Sequence, residues 1–500
     1  MVRLFRMPAI FLVSILSFSS STHSYSTNLS GKWEASIRAK KIAYTVDIDL
    51  IHEGNAVRGV SQRRGKFPKA EFTGKVFGDS VKFGFTVQAE NGRDLVVHFV
   101  VKYTPTKMEG KNFVTWKDTG AILGEPRDFT AIRKGDSTKK EAPQSLRLVD
   151  RVRRILENHR ESQGFPGITA AYALPDGEIT AMGVGYADKE TRTPMTKDTR
   201  MLAGSVGKTF VAALAVQMAQ SGKFDLDDKA EKWLGDEAWF SRLPNAQDLT
   251  LRMLLSHRAG LVDHVKTEAY AKAVAEKLSS ENLDPDFYFK PVELIEFALD
   301  REPLFPAGEG YNYSDTGYLI AGLIIEKAGG DSYYSLLQKH ILEPLKLTRT
   351  SAANSRKLEG LSPGYLNPKN SFGLPEKTVS NGEMVINPLT EWTGGGLVSN
   401  VQDLVCWAKL LYEEKALSKP YLAELLQPVL EDAKRGYGLG VAVNTTALGK
   451  TYGHSGWFPG YRTEMAYFVE HKIAVAIQIN SDDQVELGSI VNEITQVLVE

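Results

Sequence analysis

The sequence has a single cysteine, Cys406, among 500 residues, so no disulfide can form within this chain. Sites built from several cysteines, as for structural zinc or an iron–sulfur cluster, are excluded for the same reason. An excess of either charge is also lacking, because 60 Lys and Arg face 61 Asp and Glu. The chain therefore has no net basic charge with which to bind nucleic acid or an anionic membrane. We expect a small-molecule or peptide substrate, no metal and no organic cofactor.

Apolar runs long enough to span a bilayer, which takes about 20 helical residues, are missing as well. The run at residues 7–18 has 12 residues; Arg3 and Arg6 precede it and small polar residues follow. A basic start, a short apolar run and a small-residue exit are typical of a secretory signal peptide. We predict a signal peptide over residues 1–26, export to the periplasm or the medium, and a mature chain without stable membrane insertion. A buried core helix is the less favoured interpretation of this run.

Alternation of apolar and polar residues dominates the region from 27 to 133. A period of two places one set of side chains on one face of a sheet, so we predict a small antiparallel β domain, either a barrel or a sandwich. The clearest alternating segments are residues 44–50, 81–87 and 95–101. The opening Gly31-Lys32-Trp33 resembles the start of lipocalin-like barrels. A packed structural module is favoured over a ligand pocket, because small barrels usually fill with side chains.

The polar, charged and proline-containing residues 134–145 are typical of a linker. The remainder, residues 146–500, has the pattern of an α/β domain. Strands are predicted near residues 167–173, 178–186, 437–443, 461–469 and 473–480, with a largely helical region in the middle. Strands at both ends of a domain predict one antiparallel sheet flanked by helices, with a helical insertion.

Ser205 and Lys208 form a Ser-x-x-Lys motif at the start of a mostly apolar segment that is predicted to be a helix. Residues three apart share one face of a helix, so the amine of Lys208 can lie beside the hydroxyl of Ser205. A serine hydroxyl becomes a nucleophile when a nearby base takes its proton. The backbone N–H of Ser205, at the helix start, has no acceptor within the helix and can face a developing oxyanion. A second match, at residues 137–140, lies in the predicted linker.

Tyr313 and Asp315 precede another apolar helix. The phenol of Tyr313 can shuttle a proton if a neighbouring cation lowers its pKa; the alternative is that the segment caps and packs the helix.

His454 lies on a late predicted strand, followed by Ser455, Gly456 and Trp457. Its imidazole can supply a proton or a hydrogen bond, and the glycines on this strand let a substrate approach the backbone. We expect activity to change near about pH 6.5 unless the site shifts the pKa of this imidazole.

Three motifs, taken in chain order, resemble those of the penicillin-recognising serine hydrolases. They are Ser-x-x-Lys at 205–208, Tyr-x-Asp at 313–315 and His-x-Gly at 454–456. This family contains class C β-lactamases, D-alanyl-D-alanine carboxypeptidase-like enzymes, related esterases and D-aminopeptidases. Residues 250–261, 394–399 and 436–440 are also similar to segments of the family. The resemblance covers about residues 150–500 and implies the β-lactamase/transpeptidase-like fold, preceded here by the all-β domain.

The resemblance implies an acyl-enzyme mechanism. Ser205 would attack an ester or amide carbonyl, while Lys208 and Tyr313 share the role of general base and then protonate the leaving group. His454 would stand where many relatives have the lysine of Lys-Thr-Gly. The N–H groups of Ser205 and Trp457 would form the oxyanion hole, and water would release the acyl group. Substrate or oxyanion contacts are expected from Asp315, Ser455, Gly456 and Trp457.

Two departures from the family pattern affect the expected substrate. Asp315 replaces the usual asparagine; an ionised carboxylate cannot donate to a substrate carbonyl, and near Lys208 it would hold the amine charged. His454 removes a permanent positive charge that would attract the carboxylate of a penicillin or a peptidoglycan stem. Both changes favour an esterase or a DD-peptidase-like hydrolase over an efficient β-lactamase.

Two alternatives remain. The chain can be a binding or regulatory protein that kept the scaffold and lost activity, which the Asp315 replacement favours. It can also be an α/β-hydrolase with Ser455 as nucleophile, but that motif needs glycine where Trp457 stands. Of the other polar residues, His257 is predicted to be a structural hydrogen-bonding residue, and Cys406 an inert core thiol.

Overall fold

The computed structural model describes residues 29–39, 42–53, 55–63, 69–77, 80–89, 92–104, 106–134, 144–278, 284–367, 370, 373–430, 432, 434–483 and 485–500. The predicted signal peptide and most of the predicted linker lie outside these residues. The chain separates into two compact units, Met1–Pro143 and Gln144–Glu500.

The first unit is a closed barrel of eight antiparallel strands, each paired with the next and the last with the first. The alternation in the sequence produces it: Trp33, Ala35 and Ile37 are buried inside, the intervening Glu34 and Ser36 are partly exposed, and the flanking Lys32 and Arg38 are exposed. The strands are β1 (Gly31–Ala39), β2 (Ile42–Glu53), β3 (Ala56–Arg63), β4 (Ala70–Phe77), β5 (Ser80–Gln88), β6 (Asp94–Tyr103), β7 (Lys107–Trp116) and β8 (Arg127–Arg133). Of the two predicted all-β forms, the barrel is therefore the observed one.

Aromatic side chains fill the barrel interior. Phe83 stacks on Phe99 with ring centroids 4.7 Å apart, and Phe129 meets Phe99 edge-on at 5.1 Å. Trp33 is fully buried and donates its indole N–H to the Leu29 carbonyl at 3.0 Å. The interior is a packed core, as expected for a barrel of this size.

The second unit is built on a nine-stranded sheet in the order β11-β10-β9-β22-β21-β20-β19-β18-β17, in which neighbouring strands are antiparallel. Two short sheets, β12-β16-β13 and β14-β15, lie outside it. The strands are β9 (Gly167–Ala173), β10 (Ile179–Asp188), β11 (Thr193–Pro194), β12 (Met201–Leu202), β13 (Ser351–Ala352), β14 (Val379–Ser380), β15 (Glu383–Met384), β16 (Leu397–Ser399), β17 (Val429–Leu430), β18 (Arg435–Tyr437), β19 (Ala442–Thr446), β20 (Gly449–Phe458), β21 (Tyr461–Phe468) and β22 (Ile473–Ile479).

Helices cover both faces of this sheet, so its interior strand β9 is buried along its whole length. Ile168, Ala170 and Tyr172 face a core shared with α1 and α11, whereas Ala171 and Ala173 face a core shared with α2 and α9. The helices are α1 (Gln144–Gln163), α2 (Gly207–Gln220), α3 (Glu231–Leu234), α4 (Leu251–Leu255), α5 (Glu268–Lys277), α6 (Pro291–Glu296), α7 (Asp315–Gly329), α8 (Tyr333–Leu337), α9 (Val401–Tyr412), α10 (Lys419–Leu425) and α11 (Leu487–Val499). The predicted antiparallel sheet with flanking helices and a helical insertion is confirmed.

The continuous strand predicted over residues 437–443 is wrong. The chain leaves the sheet after Tyr437 and re-enters it at Ala442. Gly440 adopts a left-handed φ of +68° between them, and its N–H donates to the Leu255 carbonyl at 3.1 Å. An alanine Cβ at Gly440 would lie 2.6 Å from the Lys208 carbonyl, so this break lets the sheet edge contact α2 directly.

Among the described residues, no helix has both the length and the apolar composition that crossing a membrane requires.

Candidate active site

Ser205 lies on a single 3₁₀ turn, Gly204–Val206, which leads directly into α2. Glycines allow two other segments to approach this turn. Gly204 has a left-handed φ of +53°, and a Cβ at this position would lie 2.6 Å from the Trp457 nitrogen. Gly395 lies on another side of this turn, and a Cβ at Gly395 would lie 2.2 Å from the Gly204 carbonyl oxygen. The nucleophile candidate is thus enclosed by backbone, with its side chain only half-buried.

The predicted pair of Ser205 and Lys208 is formed. Lys208 Nζ donates to Ser205 Oγ at 2.9 Å, consistent with residues three apart on one helix face. The same ammonium donates to the Gly394 carbonyl and forms an ion pair with Asp315 Oδ1 at 2.6 Å. Lys208 is fully buried, and its charge is surrounded by these three oxygens, two of which accept its hydrogen bonds.

Lys208 is held as an ammonium in the resting site. Burial alone would lower its pKa, but the charge of Asp315, with smaller effects from Tyr313 and Glu391, outweighs burial and raises the pKa above the usual lysine value. The Asp315 carboxylate stands in the first turn of α7, where the helix dipole also favours its negative charge. The predicted influence of Asp315 on the lysine charge is therefore what the geometry produces.

Tyr313 stands beside both residues, at the end of the loop before α7. The Lys208 ammonium lies 5.2 Å from its ring centroid. Burial raises the pKa of Tyr313 to about 12, although the Lys208 charge and hydrogen bonds to Ser205 and Lys208 act to lower it. The phenol is thus protonated at neutral pH and stands beside the two groups between which a proton would move.

His257 holds the Tyr313 segment in place. Its carbonyl accepts from Asn312 N–H at 2.9 Å and its Nδ1 accepts from Ser314 N–H at 3.1 Å, one on each side of Tyr313. Its ring packs on the Tyr313 ring with centroids 4.1 Å apart. Burial, with the Lys208 charge, lowers the pKa of His257 well below its usual value, so the ring is neutral. The sequence-based interpretation of His257 as a structural hydrogen-bonding residue fits these contacts.

His454 lies on β20, and both of its ring nitrogens have partners. Nδ1 is 2.5 Å from the Ser455 carbonyl, which can only accept, so Nδ1 carries the proton. Nε2 then accepts from the Tyr437 hydroxyl at 2.8 Å. Burial and the Lys208 charge lower the pKa of His454 to about 4. This corrects the expected titration near pH 6.5: the imidazole is neutral throughout the physiological range and orients Tyr437.

The other predicted residues of β20 follow His454. Gly456 is buried, and a Cβ there would lie 1.9 Å from the Ala203 carbonyl and 3.3 Å from the Ser205 nitrogen. Trp457 is 40% exposed and borders Ser205. Ser455 is exposed on the strand opposite Glu464. A nucleophile elbow needs a turn from strand to helix, so the α/β-hydrolase alternative with Ser455 is wrong.

Two cavities meet at Ser205 and Trp457. The first, of about 450 Å³, lies against α5 and has largely apolar walls; Asp315 and Glu391 also line it. The second, of about 440 Å³, is lined by Tyr313 and His454. Its other walls include Arg462, Thr463, Glu464 and Glu486. A substrate with its reactive carbonyl at Ser205 can therefore extend in two directions.

Asp263 and Glu391 are the carboxylates that sequence reasoning missed. Asp263 Oδ1 accepts from Asp315 N–H at 3.2 Å; burial raises the pKa of Asp263 to about 6, and Asp315 adds to this shift. Burial raises the pKa of Glu391 to about 7, again with a contribution from Asp315. Their positions in the sequence could have identified both carboxylates, because each lies close to a segment that resembles the family. Asp263 lies two residues after the segment 250–261, and Glu391 precedes Gly394 by three residues.

A metal site is not formed by these groups: in the described part of the chain, no three His, Cys, Asp or Glu side chains are grouped to hold an ion.

Comparison with known proteins agrees with this arrangement. The beta-lactamase family model matches residues 152–494, which leaves the barrel outside the match. Penicillin-binding protein 4* of Bacillus subtilis is 27% identical over 321 residues, which are 60% of this chain and 65% of that protein. The chain thus spans slightly less than two thirds of the length of that relative.

Solved structures similar to this chain include a D-stereospecific amidohydrolase and a D-amino acid amidase. A D-stereospecific amidohydrolase from Streptomyces sp. is 26% identical with a TM-score of 0.59, over 69% of this chain and 97% of that one. A D-amino acid amidase from Ochrobactrum anthropi, in complex with D-phenylalanine, is 25% identical with a TM-score of 0.60, over 71% of this chain and 99% of that one.

Proposed function

The chain belongs to the beta-lactamase family of serine hydrolases, and we propose that it cleaves an amide or ester through an acyl-enzyme on Ser205. The observation that carries this proposal is the contact of Ser205 Oγ with Lys208 Nζ at 2.9 Å, with the Tyr313 ring centroid 5.2 Å from the same Nζ. A nucleophile, a base and a proton shuttle in mutual contact are what acyl transfer requires.

In the proposed acylation, Ser205 Oγ attacks the substrate carbonyl as its proton passes to the pair of Lys208 and Tyr313. The same pair returns the proton to the departing amine or alcohol. Because Asp315 keeps Lys208 protonated, acylation depends on the small fraction of molecules in which this amine is neutral. A water molecule then attacks the acyl-enzyme with the same groups in reverse order.

The backbone N–H groups of Ser205 and Trp457 are the proposed oxyanion hole. Gly204 and Gly456 lie on two neighbouring segments of this chain. Because neither residue has a Cβ atom, the segments that carry these two N–H groups can lie close together. Each donor of such a pair is worth about 3–4 kcal/mol of activation free energy.

The charges of the site support an amidase or esterase over an efficient β-lactamase. The positive charge of Lys208 is balanced by Asp315, whose Oδ1 lies 2.6 Å from Lys208 Nζ, and the His454 imidazole is neutral. Both cavities carry charges of each sign, Lys277 with Glu391 in the first and Arg462 with Glu464 and Glu486 in the second, so neither offers an anionic substrate an excess of positive charge. The D-amino acid amidase and amidohydrolase relatives agree with an amide of an amino acid as one substrate type.

A weakly active or purely binding protein on the same scaffold is the second candidate. The observation that favours it is the Lys208–Asp315 ion pair, which opposes formation of the neutral amine.

The first test is covalent labelling. Wild type and Ser205→Ala are incubated with p-nitrophenyl butyrate and with a chromogenic cephalosporin, while turnover and intact mass are recorded. We expect ester turnover and an acyl adduct of one per chain in the wild type, neither in Ser205→Ala, and slow cephalosporin turnover. An adduct that persists in Ser205→Ala, or a folded wild type that forms no adduct and turns over neither compound, would contradict the proposal and favour the second candidate.

The substitution Asp315→Asn is expected to shift the pH dependence of acylation. Without this carboxylate, burial lowers the Lys208 pKa with less opposition, so the rising limb of the acylation rate moves to lower pH. Each unit by which the pKa falls raises the neutral-amine fraction at pH 7 about tenfold. Stopped-flow measurement of the p-nitrophenol burst between about pH 6 and 10, a range that leads up to the usual lysine pKa, gives this limb.

Glu302→Gln, which removes an exposed carboxylate elsewhere in the domain, is the control for Asp315→Asn. An Asp315→Asn profile that coincides with those of the wild type and Glu302→Gln would show that Asp315 does not govern the base.

A further inference from the structure

The first cavity has the walls of a binding site for an apolar group. It lies between α5, the loop before α6 and the end of β20, and Ser205 is at its inner end. Aromatic and branched side chains make up most of its surface: Tyr270, Val274, Phe287, Phe289, Ile386 and Phe458. Phe287 and Phe289 meet edge-on with ring centroids 4.9 Å apart, an arrangement into which a further ring can pack. At about 450 Å³ the cavity has room for a phenyl-sized group.

Glu391 is the carboxylate of this cavity whose charge is not balanced; Lys277 also lines the cavity, and its ammonium lies 5.0 Å from the centroid of the Phe287 ring. It stands between the 3₁₀ turns Pro388–Thr390 and Trp392–Gly394, and so lies three residues before the Gly394 carbonyl that binds Lys208. Lys208 and Asp315 neutralise each other at 2.6 Å. Within the described residues, the Glu391 carboxylate has neither an ion pair nor a hydrogen bond. A positively charged group beside Glu391 would supply the partner, whereas an anion placed there would be repelled.

The two cavities differ in the group that would act on the leaving atom. Tyr313, proposed above to return the proton, lines the second cavity and not the first. The leaving group is therefore on the side of the second cavity, and the acyl part of the substrate extends into the first.

We propose that the first cavity is the acyl-binding site and that its substrates carry an apolar side chain together with an amine that pairs with Glu391. This inference rests on the proposed acyl-enzyme at Ser205. It specifies an amino-acid ester or amide with a free amine and a large apolar side chain, and it makes Glu391 and the α5 face the determinants of specificity.

The first part of this proposal, that an apolar side chain binds in the first cavity, is tested with ethyl esters in a pH-stat. Esters are used because they acylate serine hydrolases more readily than amides do. Burying a phenyl-sized side chain is worth about 1.5–3 kcal/mol, so kcat/KM for ethyl 3-phenylpropanoate should exceed that for ethyl acetate by roughly thirtyfold. Val274→Trp, which fills the cavity from α5, should reduce this ratio to about threefold or less. Lys272→Trp, an exposed position on the same helix that does not line the cavity, is the matched control and should keep the wild-type ratio.

The amine half is tested with the ethyl esters of D- and L-phenylalanine against ethyl 3-phenylpropanoate, which differs only by the amine. We expect one enantiomer to exceed the amine-free ester in kcat/KM by about tenfold, as for one charge-assisted hydrogen bond. Glu391→Gln should bring this ratio close to one. Burial raises the pKa of Glu391 to about 7, and an α-amine titrates near about 7.7–8.0, so the ratio should rise as the carboxylate ionises and fall again at higher pH as the amine loses its proton.

The outcomes separate this inference from the proposed function. If p-nitrophenyl butyrate is cleaved only when Ser205 is present but the phenyl group gives no preference, the cavity assignment is wrong and the acyl-enzyme proposal stands. A phenyl preference that Val274→Trp removes, with no amine preference in either enantiomer, overturns the role of Glu391 alone. Failure of every ester in a folded wild type overturns the proposed function itself.

Discussion

Replacing Lys208 by methionine is expected to lower kcat/KM by roughly a thousandfold. Lys208 Nζ is the group in contact with Ser205 Oγ at 2.9 Å, and a positioned acid–base group contributes about 10²–10⁴ in rate. Methionine keeps a similar length and suits a fully buried position, so the change removes the amine and little packing. Steady-state kinetics with p-nitrophenyl butyrate measure the loss, and wild-type turnover in this variant would exclude Lys208 from the mechanism.

Loss of the Lys208 charge also affects stability, and this has to be separated from catalysis. Asp315 would lose its ion-pair partner at 2.6 Å, and breaking a buried pair from one side costs about 3–5 kcal/mol. The double variant Lys208→Met/Asp315→Asn removes both charges. It should recover most of the free energy of unfolding in urea while remaining as inactive as the single variant. Recovery of activity together with stability would mean that the single variant had merely failed to fold.

Replacing Gly456 by alanine is expected to lower kcat by about 10²–10³ in the folded protein. The new Cβ would lie 1.9 Å from the Ala203 carbonyl, so β20 and the turn bearing Ser205 must move apart. This separates the Ser205 and Trp457 segments, and loss of one oxyanion donor costs about 10²–10³ in kcat. Because the effect is on transition-state stabilisation, kcat and kcat/KM should fall together.

Gly438→Ala is the matched control for Gly456→Ala. Its Cβ would lie 2.3 Å from the Leu425 carbonyl, so it makes a comparable backbone collision at the sheet edge near α10. Both variants should lower the urea midpoint, but only Gly456→Ala should lower kcat per folded molecule. Equal losses of kcat in the two variants would show a general effect of destabilisation and remove the argument for the oxyanion hole.

Much of the fold follows from local patterns in the sequence. Alternation over β1 to β8 and the apolar runs of β9, β21 and β22 identified the strands, because a period of two needs only neighbouring residues to be recognised. The strand predicted through Gly440 was wrong because its left-handed φ of +68° follows from contact with α2, which lies far away in the sequence. Likewise, alternation cannot show whether strands close into a barrel.

The site was predictable to the extent that its motifs are short. Ser205 and Lys208 are three residues apart on a helical turn, so their contact follows from helix geometry. The charge effect of Asp315 on Lys208 followed from residue types once the motifs were placed together. In contrast, the partner of His454 Nε2 is Tyr437, which lies two strands away in the sheet, and the His454 pKa near 4 depends on burial. Composition gives neither burial nor the partners of a polar group.

The sequence by itself determined the strand pattern, the order of the three motifs and the residue types available for acyl transfer, because these depend on neighbouring positions. Only the tertiary structure decided which charges are balanced. It pairs Lys208 with Asp315, leaves Glu391 facing an apolar cavity, and brings Gly456 against the turn that carries Ser205. These relations join segments separated by up to about 250 residues, and electrostatic and steric effects depend on distance in space rather than on separation along the chain.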